Sequence, residues 1–238
     1  MKKAIIIGAT SGIGKALTEL LLRNEYAVCI TGRRENILQS VQAAHPGKVI
    51  FKKMDVQDLS TTESICNELT VQMGGVDVLI ICAGIGVENE ALKFETENDV
   101  IKTNVQGFTL LCDWGMNFFK KQGHGHLVNI SSVAGIRGNG LAPSYNASKA
   151  YQINYMEGLR LNAHTSNSPI HVTDVRPGFV ATAMAKGDGL FWVVPVEKAA
   201  EQIYRAIKHR KNVVYVSKRW RMIGHILKLI PYSILKKI

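Results

Sequence analysis

The chain has 238 residues, 46% hydrophobic and 20% charged, which suits one well-buried core, and an α/β sheet of this size forms a single domain as a rule. Its formal charge of +10 is uneven: residues 208–238 hold nine Lys or Arg and no Asp or Glu, while the first 207 residues balance 20 basic against 19 acidic side chains. A nearly neutral body without a basic stripe argues against nucleic-acid binding, and Cys29, Cys66, Cys82 and Cys112 are spaced for neither a zinc site nor a disulfide framework, so buried free thiols and no metal are expected.

Met1-Lys2-Lys3 passes directly into the apolar Ala4–Ile7, too short a run for a signal peptide or membrane span, so a mature cytoplasmic start is expected. Apolar β-branched runs predict strands at Ala4–Ile7, Ala27–Thr31, Val49–Lys53, Val76–Cys82, His126–Ser131, Ile170–Val175 and Val213–Val216. Between them the spacing turns helical, as at Ala16, Leu17, Leu20 and Leu21, and again at Ile65, Leu69 and Met73. Strands alternating with helices predict an α/β fold, a doubly wound parallel sheet of seven strands with helices on both faces and right-handed crossovers. The expected division is one catalytic domain over 1–217 and a basic amphipathic extension over 218–238.

Gly8, Gly12 and Gly14 punctuate the turn between the first strand and a helix beginning near Ile13. Small residues there let a backbone approach a pyrophosphate, and the helix N-terminus offers unpaired N–H groups and a positive dipole end. Further on, Tyr145 and Lys149 stand four apart, on one face of a helix, thirteen residues after Ser132. A phenol, an amine and a hydroxyl in a chain with a dinucleotide loop are the parts of a hydride-transfer site. Asp55, read by itself, suits a turn or a helix cap, and Pro177-Gly178 an ordinary turn.

The stretch Gly8-Ala9-Thr10-Ser11-Gly12-Ile13-Gly14 resembles the cofactor loop of the short-chain dehydrogenase/reductase family, T-G-x-x-x-G-x-G, with Ile7 in place of the family's Thr. The resemblance runs from residue 4 to about residue 182 and implies a Rossmann-type fold and NAD(P) as cofactor. Where the family reads the adenosine ribose, Gly32 replaces an acidic residue and Arg33 and Arg34 follow. A carboxylate there would accept from both ribose hydroxyls of NAD, whereas a guanidinium pairs with a 2′-phosphate, so NADP is expected over NAD. The family's other basic position is Ser11 here. Asp55-Val56 resembles the adenine-contacting pair. Ile81-Cys82-Ala83-Gly84 stands where the family has Asn-Asn-Ala-Gly, keeping the close approach of Ala83 and Gly84 but losing two amides.

Asn104, Ser132, Tyr145 and Lys149 occur in the family's order, and Ser132 and Tyr145 at its spacing. The resemblance implies Tyr145 as acid/base, Ser132 as the hydrogen-bonding partner of the substrate oxygen, and Lys149 on the nicotinamide ribose. The Lys149 ammonium should also shift Tyr145 from an ordinary pKa of about 10 toward working pH. Asn104 is expected to anchor a proton-relaying water. Ser131 is the neighbour most easily confused with Ser132. The family's P-G-x-x-x-T segment is matched by Pro177, Gly178 and Thr182, with Val180 and Thr182 expected at the nicotinamide end.

Substrate walls are expected from Leu141 and Pro143 before Tyr145 and from Met184, Leu190, Phe191, Trp192, Val193 and Val194 after Thr182, unless Phe191–Val194 close over the core instead. Their apolar character suits a hydrophobic carbonyl or alcohol compound. From Arg219 to Ile230, Trp220, Met222, Ile223, Ile226, Leu227, Leu229 and Ile230 fall on about half a helical circumference, opposite Arg221, His225 and Lys228. Such a helix can lie at an anionic membrane surface, where a lipid ketone would be reduced, or pack against its own domain or a second subunit. The family resemblance implies a homodimer or homotetramer. The different-class alternative is a catalytically idle dinucleotide sensor or scaffold.

Overall fold

A computed structural model describes residues 1–166, 169–185 and 191–235. Its sheet contains β1 (Lys3–Ile7), β2 (Ala27–Gly32), β3 (Val49–Lys53), β4 (Val78–Ile81), β5 (Gly125–Ile130), β6 (Ile170–Pro177) and β7 (Val213–Val216) in the order β3-β2-β1-β4-β5-β6-β7. Every neighbouring pair is parallel. This is the doubly wound arrangement that the alternation of elements predicts. Between the strands run α1 (Gly12–Arg23), α2 (Glu35–Ala44), α3 (Leu59–Met73), α4 (Phe94–Ile101), α5 (Phe108–Gln122), α6 (Pro143–Thr165) and α7 (Val196–Lys208), and after β7 come α8 (Arg219–Leu229) and α9 (Tyr232–Leu235).

Alternation along each strand sorts its side chains into two cores. Ala4, Ile6, Ile80 and Val128 meet Leu17 and Leu21 of α1 and Ile203 of α7. Ile5, Ile7, Leu79 and Leu127 meet Leu69 of α3, Phe108 and Phe119 of α5 and Met156 of α6. The strand order reverses between β1 and β4, and a crevice opens beyond the carboxyl ends of those two strands, where such sheets bind their ligands.

Four local features place the site at that crevice. The fourth strand is shorter than its apolar run because Gln122 takes both backbone groups of Val76, accepting from its N at 3.0 Å and donating to its O at 2.8 Å. β5 ends at Ile130; Ser131 still donates its N–H to Val175 O of β6 at 2.8 Å, and Ser132 turns away. Between α4 and α5 the helix widens into a π-helical turn, Lys102–Gly107, which carries Asn104; such turns mark functional positions often. α6 starts at Pro143, whose fixed φ and missing N–H suit a first helical position, and Glu97 Oε2 accepts from the next backbone N–H, that of Ser144, at 3.0 Å.

α8 packs against the body of the molecule. Trp220 and Gly224 are buried, the indole of Trp220 lies against Gly178, and Arg137 caps the helix by donating to the oxygens of Leu227 at 2.6 Å and Lys228 at 3.1 Å. The outward side keeps Met222, Ile226 and Leu229 exposed.

Candidate active site

The cradle comes first. Gly8 has φ +89° and no room for a Cβ beside Ala83, while Gly14 packs directly on the carbonyl of Gly8. The first turn of α1 contains no acidic side chain, so its N–H groups and dipole face the crevice without a competing anion. Thr182 packs over Gly12, bringing the Pro177–Thr182 segment to the glycine turn. Val180 is buried and bridges to Val194.

Arg33 and Arg34 are both exposed, and it is Arg34 that reaches the turn, donating to Thr10 Oγ1 at 2.8 Å and Ser11 Oγ at 2.7 Å. Val56 is buried. Asp55 Oδ1 accepts from the N–H of Gln57 at 3.1 Å, so the turn reading and a free second oxygen coexist. The cradle therefore fits a dinucleotide: a sterically closed glycine turn, an uncompensated helix N-terminus and guanidinium groups at the end of β2.

Ser132, Tyr145 and Lys149 come together beyond the ends of β4 and β5. Ser132 adopts an extended conformation, accepts from the N–H of Ala134 at 3.1 Å and so caps the 3₁₀ turn Val133–Ile136. Asn146 fastens α6 to that turn by donating to the oxygens of Ala134 and Arg137, both at 2.8 Å. Ser131 points away into a buried network, donating to Asp174 Oδ1 at 2.6 Å, while Asp174 pairs with Arg176 at 2.6 Å. The two adjacent serines are thus separated by their contacts.

Lys149 is buried, with Nζ 6.0 Å from the centre of the Tyr145 ring. It donates to the oxygen of Ile130 at 3.1 Å and to Gln152 Oε1 at 3.0 Å. Burial pushes its pKa down to about 8, against the pull of Asp174 and Cys82. Tyr145 departs from the sequence expectation. Burial pushes its phenol up, and the neighbouring Ser132 hydroxyl works only partly against this. In the protein alone the ammonium is too distant to reverse the effect of desolvation.

Asn104 is buried on the π-helical turn. Its side chain clamps the loop after β4, accepting from Ile85 N at 2.9 Å and donating to Ile85 O at 2.8 Å. These bonds supply order where Ile81-Cys82 lacks the family's two amides. Its backbone oxygen accepts from Gln152 Nε2 at 2.9 Å. Gln152 went unread in the sequence, although it stands three residues after Lys149 and shares its helix face.

Leu141, Met184, Phe191 and Trp192 are 43 to 49% exposed. Phe191 stacks on Trp220 with centroids 5.2 Å apart, and Phe179 and Trp192 complete an aromatic cluster around that residue. The 191–194 segment is therefore braced by α8, a link that sequence spacing could not show. Leu190 lies outside the described residues. All four cysteines are free, and burial pushes Cys29, Cys66 and Cys82 up to about 12 and Cys112 well above its usual value. Among the described residues, no helix is long and apolar enough to cross a membrane.

Comparison with known proteins identifies the family. Residues 2–189 match the short chain dehydrogenase family. The chain is 32% identical over 189 residues to the 3-oxoacyl-(acyl-carrier-protein) reductase FabG of Escherichia coli, covering 78% of this chain and 76% of that protein. Among solved structures, ElxO with NADP bound is similar with a TM-score of 0.79 at 24% identity, over 90% of this chain and 96% of that one. A short chain dehydrogenase/reductase from Burkholderia phymatum in complex with NAD gives 0.85 at 19% identity, over 94% and 92%. At such identities these two structures speak for the fold alone, whereas the sequence match over most of the chain speaks for descent. The chain belongs to the short chain dehydrogenase family.

Proposed function

We propose that this oxidoreductase transfers a hydride between NADP(H) and an apolar carbonyl or alcohol compound, with Tyr145 as acid and base. The observation that supports this best is the meeting of Ser132, Tyr145 and a buried Lys149 at the crevice mouth, beside the glycine cradle. Bound NADP(H) supplies a hydride to a carbonyl carbon or takes one from an alcohol. The chain's own residues do the rest. In reduction, Tyr145 gives its phenolic proton to the substrate oxygen, and Ser132 donates a hydrogen bond that holds that oxygen in line. In oxidation Tyr145 receives the proton.

Lys149 has one N–H left after Ile130 and Gln152, and it serves the nicotinamide ribose and offsets negative charge on the phenolate. Gly8, Gly12, Ile13 and Gly14 hold the pyrophosphate, Asp55 and Val56 the adenine, and Ala83, Gly84, Pro177, Gly178, Val180 and Thr182 the remainder. Arg33 and Arg34 recognise the 2′-phosphate, Arg34 with Thr10 and Ser11. Leu141, Met184, Phe191 and Trp192 form the apolar substrate wall. We take the working unit to be a cytoplasmic homodimer or homotetramer.

The outward side of α8 favours a second reading of where the substrate comes from. Met222 is 62% exposed and Leu229 82% exposed, beside Arg221 and Lys228, a combination suited to an anionic membrane surface and a lipid ketone. A panel of carbonyl and alcohol compounds assayed with NADPH, NADP, NADH and NAD, followed at the nicotinamide absorbance band, tests the main reading. Turnover should be fastest with the phosphorylated cofactor. A protein that binds the dinucleotide and turns over no member of the panel would favour the idle sensor instead.

A further inference from the structure

Gln152 is completely buried, and both ends of its amide are committed. Oε1 accepts from Lys149 Nζ at 3.0 Å, and Nε2 donates to the backbone oxygen of Asn104 at 2.9 Å. Asn129 Nδ2 steadies the same Oε1 from β5 at 3.4 Å. Asn104 is itself fixed from the other direction, because its side chain clamps Ile85 and donates to Ser148 Oγ at 3.0 Å. A rigid amide therefore spans the whole interval between the buried ammonium and the π-helical turn. Lys149 has three N–H donors; Ile130 and Gln152 occupy two, and one remains for the crevice.

We propose that Gln152 is a positioning residue that bridges Lys149 and Asn104 in the place of a proton-relaying water, aiming the ammonium at the crevice and closing the Asn104 oxygen as a proton exit. The proposal rests on the hydride-transfer reading above. Water can accept a proton and release another from the same oxygen. An amide accepts at Oε1 and donates at Nε2, so no proton passes along it without a change of tautomer. The proton that Tyr145 gives to a substrate oxygen is then replaced from water on the crevice side and not through Gln152.

An acceptor on the ammonium favours its charged form, so Gln152 should hold Lys149 protonated against its burial. The other titratable or charged groups around Nζ are Tyr145 on α6, Asp174 and its partner Arg176 on β6, and the Cys82 thiol after β4. Lysine side-chain NMR on the full chain without added cofactor, with Lys149→Met to assign the resonance, reads this directly. Gln152→Met, similar in size but without the acceptor, should move the Lys149 midpoint down, and Gln152→Glu, which supplies a carboxylate, should move it up, each by about one pH unit.

A residue that only fills space would lower thermal stability in both variants and leave the midpoints together. Midpoints within about 0.3 pH unit of wild type would overturn the proposal. If Gln152→Met does not fold, the isosteric Gln152→Glu decides alone. Displaced midpoints combined with full turnover by Tyr145→Phe would sink the hydride-transfer reading and leave the bridge standing. Unmoved midpoints with a dead Tyr145→Phe would do the reverse.

Discussion

Lys149 holds the sharpest conflict in the molecule, a cation with no exposed side and a pKa pushed from 10.5 down to about 8 by burial. Below pH 8 the folded and unfolded chains both keep the proton, and the full cost of burying the charge is present. Between about 8 and 10.5 the folded state releases the proton first, so this contribution to stability rises with pH. Wild type should therefore gain on Lys149→Met by roughly 2 to 3 kcal/mol between pH 7 and pH 10, measured by urea unfolding at both values. A gap that stays constant would mean that Lys149 is not strained by burial. Ser132, Tyr145 and Lys149 were legible as candidates because their order and spacing stand in the sequence. Gln152 was not, because a polar residue on a helix looks the same in sequence whether it faces water or a buried ammonium. The direction of the Tyr145 shift was misread for a related reason: desolvation depends on what covers the phenol, which no spacing reports.

Cofactor choice belongs to the same scale. Arg33→Ala should weaken NADPH roughly ten- to a hundredfold, the worth of a charge-assisted contact, and leave NADH nearly unchanged. Arg34→Ala should weaken both, since it also releases Thr10 and Ser11 of the glycine turn. Calorimetric titration of the two cofactors into each variant distinguishes these outcomes, and equal losses for Arg33→Ala would remove it from the phosphate site.

Among the elements, α8 shows how much an amphipathic pattern leaves open. Its helical span was legible, from Arg219 to within one residue of the observed end, but the pattern could not say which apolar residues face inward. The answer lies in long-range partners: Trp220 seats against Gly178 among Phe179, Phe191 and Trp192, and Arg137 holds the far end. Trp220→Ala should cost about 3 to 5 kcal/mol, the range for emptying a large aromatic site. Trp220 Nε1 is buried without a hydrogen-bond partner among the described residues, and an unmet buried donor is unfavourable. Trp220→Phe leaves a smaller cavity than Trp220→Ala and removes the unmet donor, so it should cost clearly less than Trp220→Ala. Thermal unfolding of the two variants provides the comparison, and equal destabilisation would show that the indole N–H has a use.

For the whole molecule, the parallel sheet was legible because its strands are mostly apolar β-branched runs, each separated from the next by a helical period. The crevice followed from strand order, which the sequence implies only through its similarity to a family. Charge distribution makes a further prediction at this scale. The intact protein should co-sediment with anionic vesicles and be released as salt rises, because exposed charge is screened over about 10 Å at 0.1 M. Substituting Met222, Ile226 and Leu229 by Ser should abolish it without unfolding α8, and an intact protein that ignores such vesicles removes the membrane reading.

The central claim, that this chain moves a hydride with Tyr145 as its acid, is tested most directly by Tyr145→Phe. Single-turnover oxidation of NADPH, with whichever carbonyl compound the wild type reduces fastest, should slow at least a hundredfold in the variant, the scale of a lost general acid, while NADPH affinity stays within about threefold of wild type. A variant that keeps more than about a tenth of the wild-type rate would contradict the assignment and require another proton donor in the crevice.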